Sequence, residues 1–446
     1  MEAIIIGAGQ AGTHLAHILS SEGHGVTLVD SNPGRIQQAE LELDVRTLCD
    51  HVASAQVMER VGVSSADLVA AVTQNDELNL IVALTAKQLG ANKTAARVFN
   101  PAYFEETRIA YRNILGVDLI IAPHILTAFE LAKHVEHPAV LAIESFARGA
   151  VQLRQMTVRE DSKVAGKKVV DAFPPSFHAV LASITRGDET LIPGADDDIL
   201  PGDLVTVITS AARMKKVRYA FKDVEKKPHN IMIAGGGSTA FHLAKLLQKG
   251  PFDIRLVEVD RERCDYLSRE LQNVTILHGD VTRLQLLREE RVGGVDMFIA
   301  LCGDDETNLI ACLMAKEVGA KECLIQVQRA DFLPVIDKTG VDFAVSPRIL
   351  TANRILTLAG RGHLASVAQI DNGNAEVLEL LVSQDCKVAG KTLGKDLRLP
   401  SGTVIGAIVR GDEVVLPRGG TQVLPGDTVI VFALQGLVQD VQHLFE

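Results

Sequence analysis

Residues 7–12 read Gly-Ala-Gly-Gln-Ala-Gly, directly after the apolar run Ala3–Ile6. Glycines at this spacing can bring a backbone against a pyrophosphate. Gly7 permits a tight turn, Gly9 lets the phosphate approach, and Gly12 lets the following helix pack closely on the strand. The N–H groups of Gln10 and Ala11 then point from a helix start at the anion. Asp30 lies eighteen residues after Gly12, at the end of the next apolar run. A carboxylate there can accept from ribose hydroxyls and repel a 2′-phosphate, which favours NAD, ATP or ADP over NADP.

The same arrangement restarts at mid-chain. Gly235, Gly237 and Ala240 of "GGGSTA" stand 228 residues after Gly7, Gly9 and Gly12, and Glu258 stands 228 after Asp30. Ala240 is small enough for the third glycine position, Gly236 and Ser238 keep the loop open and polar, and Glu258 changes the reach of the carboxylate. "VTQNDELN" (72–79) matches "LCGDDETN" (301–308), and "APHILTA" (122–128) matches "SPRILTA" (346–352). "KVAGK" recurs at 163 and 387, "RGDE" at 186 and 410, and "LPGD" at 200 and 424. Landmarks that keep both order and spacing define a tandem duplication whose unit is half the chain.

Two further features belong to the same edge. The loop Thr73-Gln74-Asn75-Asp76-Glu77, with its counterpart Cys302-Gly303-Asp304-Asp305-Glu306, follows the fourth strand, at the carboxyl edge where such sheets bind ligands. Asp76 is expected to cap the next helix. Arg97 lies in an apolar strand and needs a counter-charge, which a phosphate or a carboxylate would supply; its repeat partner is Gln326. His134, Glu136 and His137 are read as ending a helix, and Asp196–Asp198 as a solvated turn, rather than as metal ligands. No nucleophile elbow, HExxH or paired catalytic carboxylate is present. That weighs against the alternative of an NAD-dependent oxidoreductase.

The elements that must position these residues follow from hydrophobic patterning. "EAIIIG", "GVTLVD", "DVRTLC", "DLVAAVT", "KTAARVF" and "VDLIIA" alternate with helical stretches. Apolar runs without strict alternation suit parallel strands buried on both faces, hence a doubly wound α/β sheet of the Rossmann type. From about residue 139 closely spaced strands with Gly-Asp turns predict a small α+β domain, mainly β. The expected organisation is two tandem copies of this pair: 1–138 and 139–222, a linker at 223–229, then 230–362 and 363–446. The segment 123–135 carries more apolar residues than one stripe requires, among them Phe129, Leu131 and Val135. It is read either as a core helix or as a domain or subunit contact.

The composition excludes several classes. The formal net charge is −11 with no Trp and 4% aromatics, which argues against a nucleic-acid surface. The basic segment 213–227 reads as a solvated helix and linker. No apolar run is long enough to span a bilayer, and Glu2 leads straight into a strand, so no signal peptide is expected. The six cysteines lack metal-ligand spacing and read as reduced thiols of a cytosolic protein.

With both glycine loops, "VTQNDELN", "ARVFNPAYF" and the repeated "KVAGK…RGDE…LPGD" in order, the whole chain resembles the TrkA family, built from two RCK (KTN) units. The resemblance implies nucleotide contacts by Gly7, Ala8, Gly9, Gln10, Ala11, Asp30, Thr73, Gln74 and Arg97. In the second unit it implies Gly235, Gly236, Gly237, Ser238, Thr239, Glu258, Asp280, Cys302 and Gly303. The family's pair after the third strand is Gly279-Asp280 in the second unit but Asp50-His51 in the first, a departure that puts His51 at the adenine-side position. The lack of an arginine at 326 is a second departure. The implied ligands are NAD(H) and/or ATP/ADP, acting as regulators. The implied partner is a TrkH-like potassium-translocating membrane subunit. A homo-oligomeric ring (tetramer or dimer of dimers) is expected, cytoplasmic and peripheral to the inner membrane through that partner. A free-standing nucleotide-binding adaptor is a further alternative.

Overall fold

The computed structural model describes residues 1–446 apart from 22, 52–53, 104–110, 137–142, 188, 223–227, 330–331, 337, 360–363, 371–374, 412 and 446. The first domain runs β1 (Glu2–Ile6), α1 (Gln10–Ser21), β2 (Gly25–Asp30), α2 (Pro33–Glu42), β3 (Arg46–Cys49) and α3 (Ala55–Arg60). It continues through β4 (Leu68–Ala71), α4 (Asp76–Gln88), β5 (Lys93–Arg97), α5 (Tyr111–Leu115), β6 (Leu119–Ile121) and α6 (Pro123–Glu136). Its sheet has the order β3-β2-β1-β4-β5-β6 with parallel pairing throughout. Ile4, Ile5, Ile6 and Leu68–Ala71 are buried, as central strands covered by helices on both faces must be. The order reverses between β1 and β4, so their carboxyl ends open the crevice that receives ligands in such sheets.

The first small domain contains β7 (Ile143–Phe146), β8 (Val151–Thr157), β9 (Lys167–Lys168), α7 (Val169–Ala172) and β10 (Val180–Arg186). β11 (Glu189–Leu191), β12 (Asp198–Ile199), β13 (Leu204–Ser210) and α8 (Ala211–Phe221) complete it. Five of these strands form the antiparallel sheet β11-β10-β13-β8-β7. The basic segment is helical as far as Phe221, but α8 is not solvated all round: Met214, Val217, Ala220 and Phe221 are buried, and 223–227 lie outside the described residues.

The second α/β domain repeats the first with β14 (Asn230–Ala234), α9 (Ser238–Leu247), β15 (Asp253–Glu258), α10 (Arg261–Glu270), β16 (Val274–His278) and α11 (Leu284–Glu289). β17 (Met297–Ala300), α12 (Asp305–Val318), β18 (Glu322–Gln326), α13 (Leu333–Ile336), β19 (Phe343–Val345) and α14 (Pro347–Ala359) follow. The sheet order β16-β15-β14-β17-β18-β19 is that of the first domain. The last domain comprises β20 (Leu364–Ile370), β21 (Ala375–Leu381), β22 (Thr403–Arg410), β23 (Glu413–Val415), β24 (Thr428–Leu434) and α15 (Val438–Phe445). Its sheet, β20-β21-β24-β22-β23, is antiparallel.

The chain divides into two compact units, each combining like domains. One holds Met1–Glu136 and Lys227–Ala359, the other His137–Lys226 and Gly360–Glu446. Within the first unit the closing helices are exchanged. Ala128, Leu131, Ala132 and Val135 of α6 enter the core of the second domain beside Ile231, Phe241 and Leu247. Ala352 and Ile355 of α14 enter the core of the first, beside Ile5, Leu15 and Leu28. Of the surplus apolar residues in α6, Leu131 and Val135 therefore make a domain contact, whereas Phe129 is 51% exposed. His134, in its last turn, lies 2.8 Å from Glu322 Oε1 and stacks on Phe343 at 4.3 Å. This cross-domain carboxylate adds to the expected helix-end interaction; Glu136 ends α6 exposed, and His137 lies outside the described residues.

Within the second unit Phe146, Val151 and Ile208 share a core with Val377, Ala407 and Phe432. The recurring "RGDE" and "LPGD" have a structural explanation there. Arg186 holds Asp203 through two bonds of 2.7 and 2.8 Å, and Arg410 holds Asp427 through two of 2.8 Å. Asp196 is 92% exposed, as a solvated turn requires. All six cysteines are free thiols. Among the described residues no His/Cys/Asp/Glu group could hold a metal, and no helix is long and apolar enough to cross a membrane.

Candidate nucleotide site

The first glycine loop is shaped by close approaches. Gly7 has φ +108°, and a Cβ there would meet the Thr73 backbone at 3.1 Å. A Cβ at Gly12 would sit 1.8 Å from Gly7 O, so α1 reaches its position only because residue 12 lacks one. Gly9 faces open space. α1 starts at Gln10, and the N–H groups of its first turn have no partner within the helix. An anion at this point would meet them and the positive end of the helix.

Asp30 sits behind the loop. Its Oδ2 accepts from Ala8 N at 2.7 Å and its Oδ1 from Asn32 N at 2.8 Å. The second domain repeats the bond with a longer side chain: Glu258 Oε2 accepts from Gly236 N at 2.5 Å, and Oε1 from Asp260 N at 2.8 Å. A Cβ at Gly236 would lie 2.7 Å from both Glu258 Oε2 and Leu267 Cδ1. Glu258 and Leu267, which stand where the first domain has Asp30 and Ala39, together occupy the volume that Ala8 fills there. Gly236 in place of Ala8 thus compensates two enlargements, Glu258 for Asp30 and Leu267 for Ala39.

Asn75, not Asp76, caps α4: its side chain accepts from Leu78 N at 2.7 Å. Asp76 is instead the first helical residue and turns to the next strand's exit, accepting from Phe99 N and Asn100 N at 2.9 and 2.7 Å. Asp304 and Asp305 divide the same two roles in the second domain. Asn79, fully buried, binds the loop together. It accepts from Thr73 N and Oγ1 and donates to Thr73 O and Arg97 O. Asn308 holds Cys302 and Gln326 in the same way. Both asparagines close the matched stretches 72–79 and 301–308, the one signal that could have identified them.

Arg97 ends β5 with its Nη2 donating to Thr73 O at 2.9 Å and its guanidinium 5.0 Å over the Phe99 ring. Its Nε is buried without a partner among the described residues. Burial pushes its pKa down to about 10, opposed by the charge of Asp76. The cation is therefore intact at neutral pH and under-partnered.

These groups line a cavity of about 650 Å³. Gly7, Ala8, Gly9, Gln10, Ala11, Thr73, Gln74 and Arg97 are on its wall. Gly12 and Asp30 pack behind the wall, and His51 is exposed outside it. Two arginines were not anticipated. Arg35 comes from α2, and Arg348 comes from α14 of the second domain, where it donates to Gln10 Oε1.

In the second domain Gly235 has φ +94°, and a Cβ there would lie 2.6 Å from Leu301 O. Ser238 and Thr239 open α9, with Gly237 before them. Cys302 follows β17 with its thiol pushed up to about 12, chiefly by burial. Gly303 faces open space. Asp280 accepts from Thr282 N and Oγ1 at 2.9 and 2.7 Å, which holds its carboxyl below the usual range. Gln326 is buried with its Oε1 unpartnered among the described residues. His124 takes the repeat position of Arg348 and lies 5.2 Å from His242.

Residues 3–123 and 231–347 match the TrkA-N domain, and residues 153–222 and 377–446 the TrkA-C domain. The chain belongs to the TrkA family. The "Trk system potassium uptake protein TrkA homolog 2" of Methanosarcina mazei is 34% identical over the whole of both chains. The "Trk system potassium uptake protein TrkA" of Halomonas elongata is 32% identical, over 100% of this chain and 99% of that one. Among solved structures, the RCK domain of GsuK aligns with TM-score 0.62 at 18% identity, covering 99% of this chain and 94% of that one. The GsuK channel bound to NAD gives 0.62 at 18%, covering 99% and 78%. The fold expected from the resemblance, two TrkA-N/TrkA-C pairs in tandem, is the fold observed.

The two TrkA-N domains differ in charge at matching positions. The first edge has Arg97 and, from the exchanged helix, Arg348; the second has Gln326 and His124. His124 is held neutral, its pKa lowered to about 4 by burial and by His242.

Proposed function

We propose that this chain is the regulatory, nucleotide-sensing subunit of a potassium-uptake system and that it performs no chemistry on its ligand. The observation that carries the reading is the wall of the first cavity. One side is the glycine loop of the first TrkA-N domain; the other is the first turn of α14, with Arg348 on Gln10. A nucleotide bound there would touch both domains at once. It would favour whichever arrangement of the two binds it better, and differential affinity is the only way a ligand can move a partner. Arg35, Arg97 and Arg348 lining one cavity suit a di- or triphosphate or a dinucleotide, through charge-assisted bonds. The titratable groups of that wall are these arginines and exposed Glu42. None is a proton-transfer group poised near neutral pH, which weighs against a dehydrogenase.

On this reading the partner is a membrane potassium-translocating subunit. The chain sits on the cytoplasmic side of the inner membrane through that subunit and assembles as a ring of units. Calorimetric titration with NAD, NADH, ADP and ATP, followed by potassium flux in vesicles carrying the membrane subunit, tests it. A flux that depends on both chain and nucleotide is expected. Substrate-dependent oxidation or reduction of NAD(H), or flux indifferent to every nucleotide, would overturn the reading.

A further inference from the structure

We propose that Arg35, rather than Asp30, sets specificity at the ribose end of the first site, and that it admits a 2′-phosphorylated adenosine there. Asp30 is the residue whose charge would ordinarily reject that phosphate. Its carboxylate is instead buried behind the wall, one acceptor site on each oxygen filled by the Ala8 and Asn32 N–H groups and its side chain only 8% exposed. Of Asp30 and Arg35, only Arg35 lines the cavity. Its Nη1 is 3.5 Å from Asp30 Oδ2, its side chain is 48% exposed, and it lines the cavity. Asp30 is its only side-chain partner among the described residues. A guanidinium has five N–H donors in a planar fork, so most remain available to an acceptor in the cavity.

Among the described residues the carboxylate that lines the cavity is Glu42, exposed and already accepting from Gln38 Nε2 at 2.9 Å, beside the further cations Arg97 and Arg348. The pair Asp30–Arg35 is neutral overall, and only its positive member lines the cavity. A phosphate in this place meets a bidentate donor first. The second domain shows the alternative. Arg263, 228 residues after Arg35, donates its Nε to Gly236 O at 2.7 Å and stacks on Tyr266 at 4.7 Å. That arginine is committed to its own loop, whereas Arg35 is not.

The inference rests on the nucleotide-site reading above. Calorimetry on the full chain compares NADH with NADPH, and ADP with its 2′-phosphorylated form, in the unaltered protein, R35A and R35K. NADPH should bind within about threefold of NADH or more tightly. R35A should weaken NADPH at least tenfold and NADH less than threefold, with R35K in between. Circular dichroism of R35A, altered on a half-exposed side chain, checks that the fold is kept. NADPH binding tenfold or more below NADH in the unaltered chain, or R35A weakening both equally, overturns the inference while leaving the site intact. Absence of binding by NADH and ADP alike overturns the site reading, and this inference with it.

Discussion

Replacing Arg97 with the glutamine that the second domain carries at 326 should separate ligand binding from fold maintenance. Without ligand, the guanidinium gives one bond to Thr73 O and a stack on Phe99. These are worth about 1.5–3 and about 0.5–1 kcal/mol. Against them stands the burial that lowers its pKa from 12.5 to about 10. At about 1.4 kcal/mol per unit this is roughly 3 kcal/mol, of opposite sign. The two nearly cancel, so Arg97→Gln should change unliganded stability by no more than about 1 kcal/mol, or about 2–4 °C in Tm. With a phosphate bound the balance differs, because the unpartnered Nε and the charge itself then have an acceptor. Losing a bond to a charged group costs about 1.5–3 kcal/mol, roughly a 10- to 150-fold rise in Kd. Calorimetry with ADP and thermal unfolding without it give the two quantities. An unchanged Kd would refute the phosphate assignment. So would an unliganded loss as large as the loss of binding, since Arg97 would then serve the fold alone.

The compensating pair in the second domain invites a double-mutant cycle. Gly236→Ala drives a Cβ to 2.7 Å from Glu258 and Leu267 and should cost about 1–3 kcal/mol in urea unfolding. Adding Glu258→Asp, which rebuilds the Ala8–Asp30 pair but leaves Leu267 where the first domain has Ala39, should recover part of that loss; strictly additive losses would show that residues 236 and 258 do not share the volume. His124 predicts a pH effect. Its folded pKa is lowered to about 4 by burial and His242 against an ordinary 6.5, so between those values the unfolded chain binds the proton and the native chain does not. Stability should therefore be full above pH 6.5 and fall toward pH 4, by on the order of 2–3 kcal/mol. His124→Asn should flatten that part of the profile, and identical slopes in both proteins would refute the assignment.

Much of this architecture is legible in the residues themselves. Glycines at 7, 9 and 12, six apolar runs before residue 122 and the return of both patterns after residue 230 are local signals. They act through turn sterics and hydrophobic periodicity, which operate within a few residues. The doubly wound sheets and the small, mainly β domains follow from them; the strand order is read from the structure. Asn75 and Asp76 mark the limit of that reading. Both are good capping residues, and which one caps depends on where α4 meets the exit of β5. The reach of Arg348 to Gln10, 338 residues away, leaves no trace in spacing. Nor does the burial of Asp30 while its partner Arg35 lines the cavity. The helix 123–136 shows why. Its hydropathy announces an apolar face, but the duplicated domains offer two cores of nearly the same pattern. Only the packed structure, by matching Leu131 and Val135 to the Ile231–Phe241 pocket, selects the one in the other half of the chain.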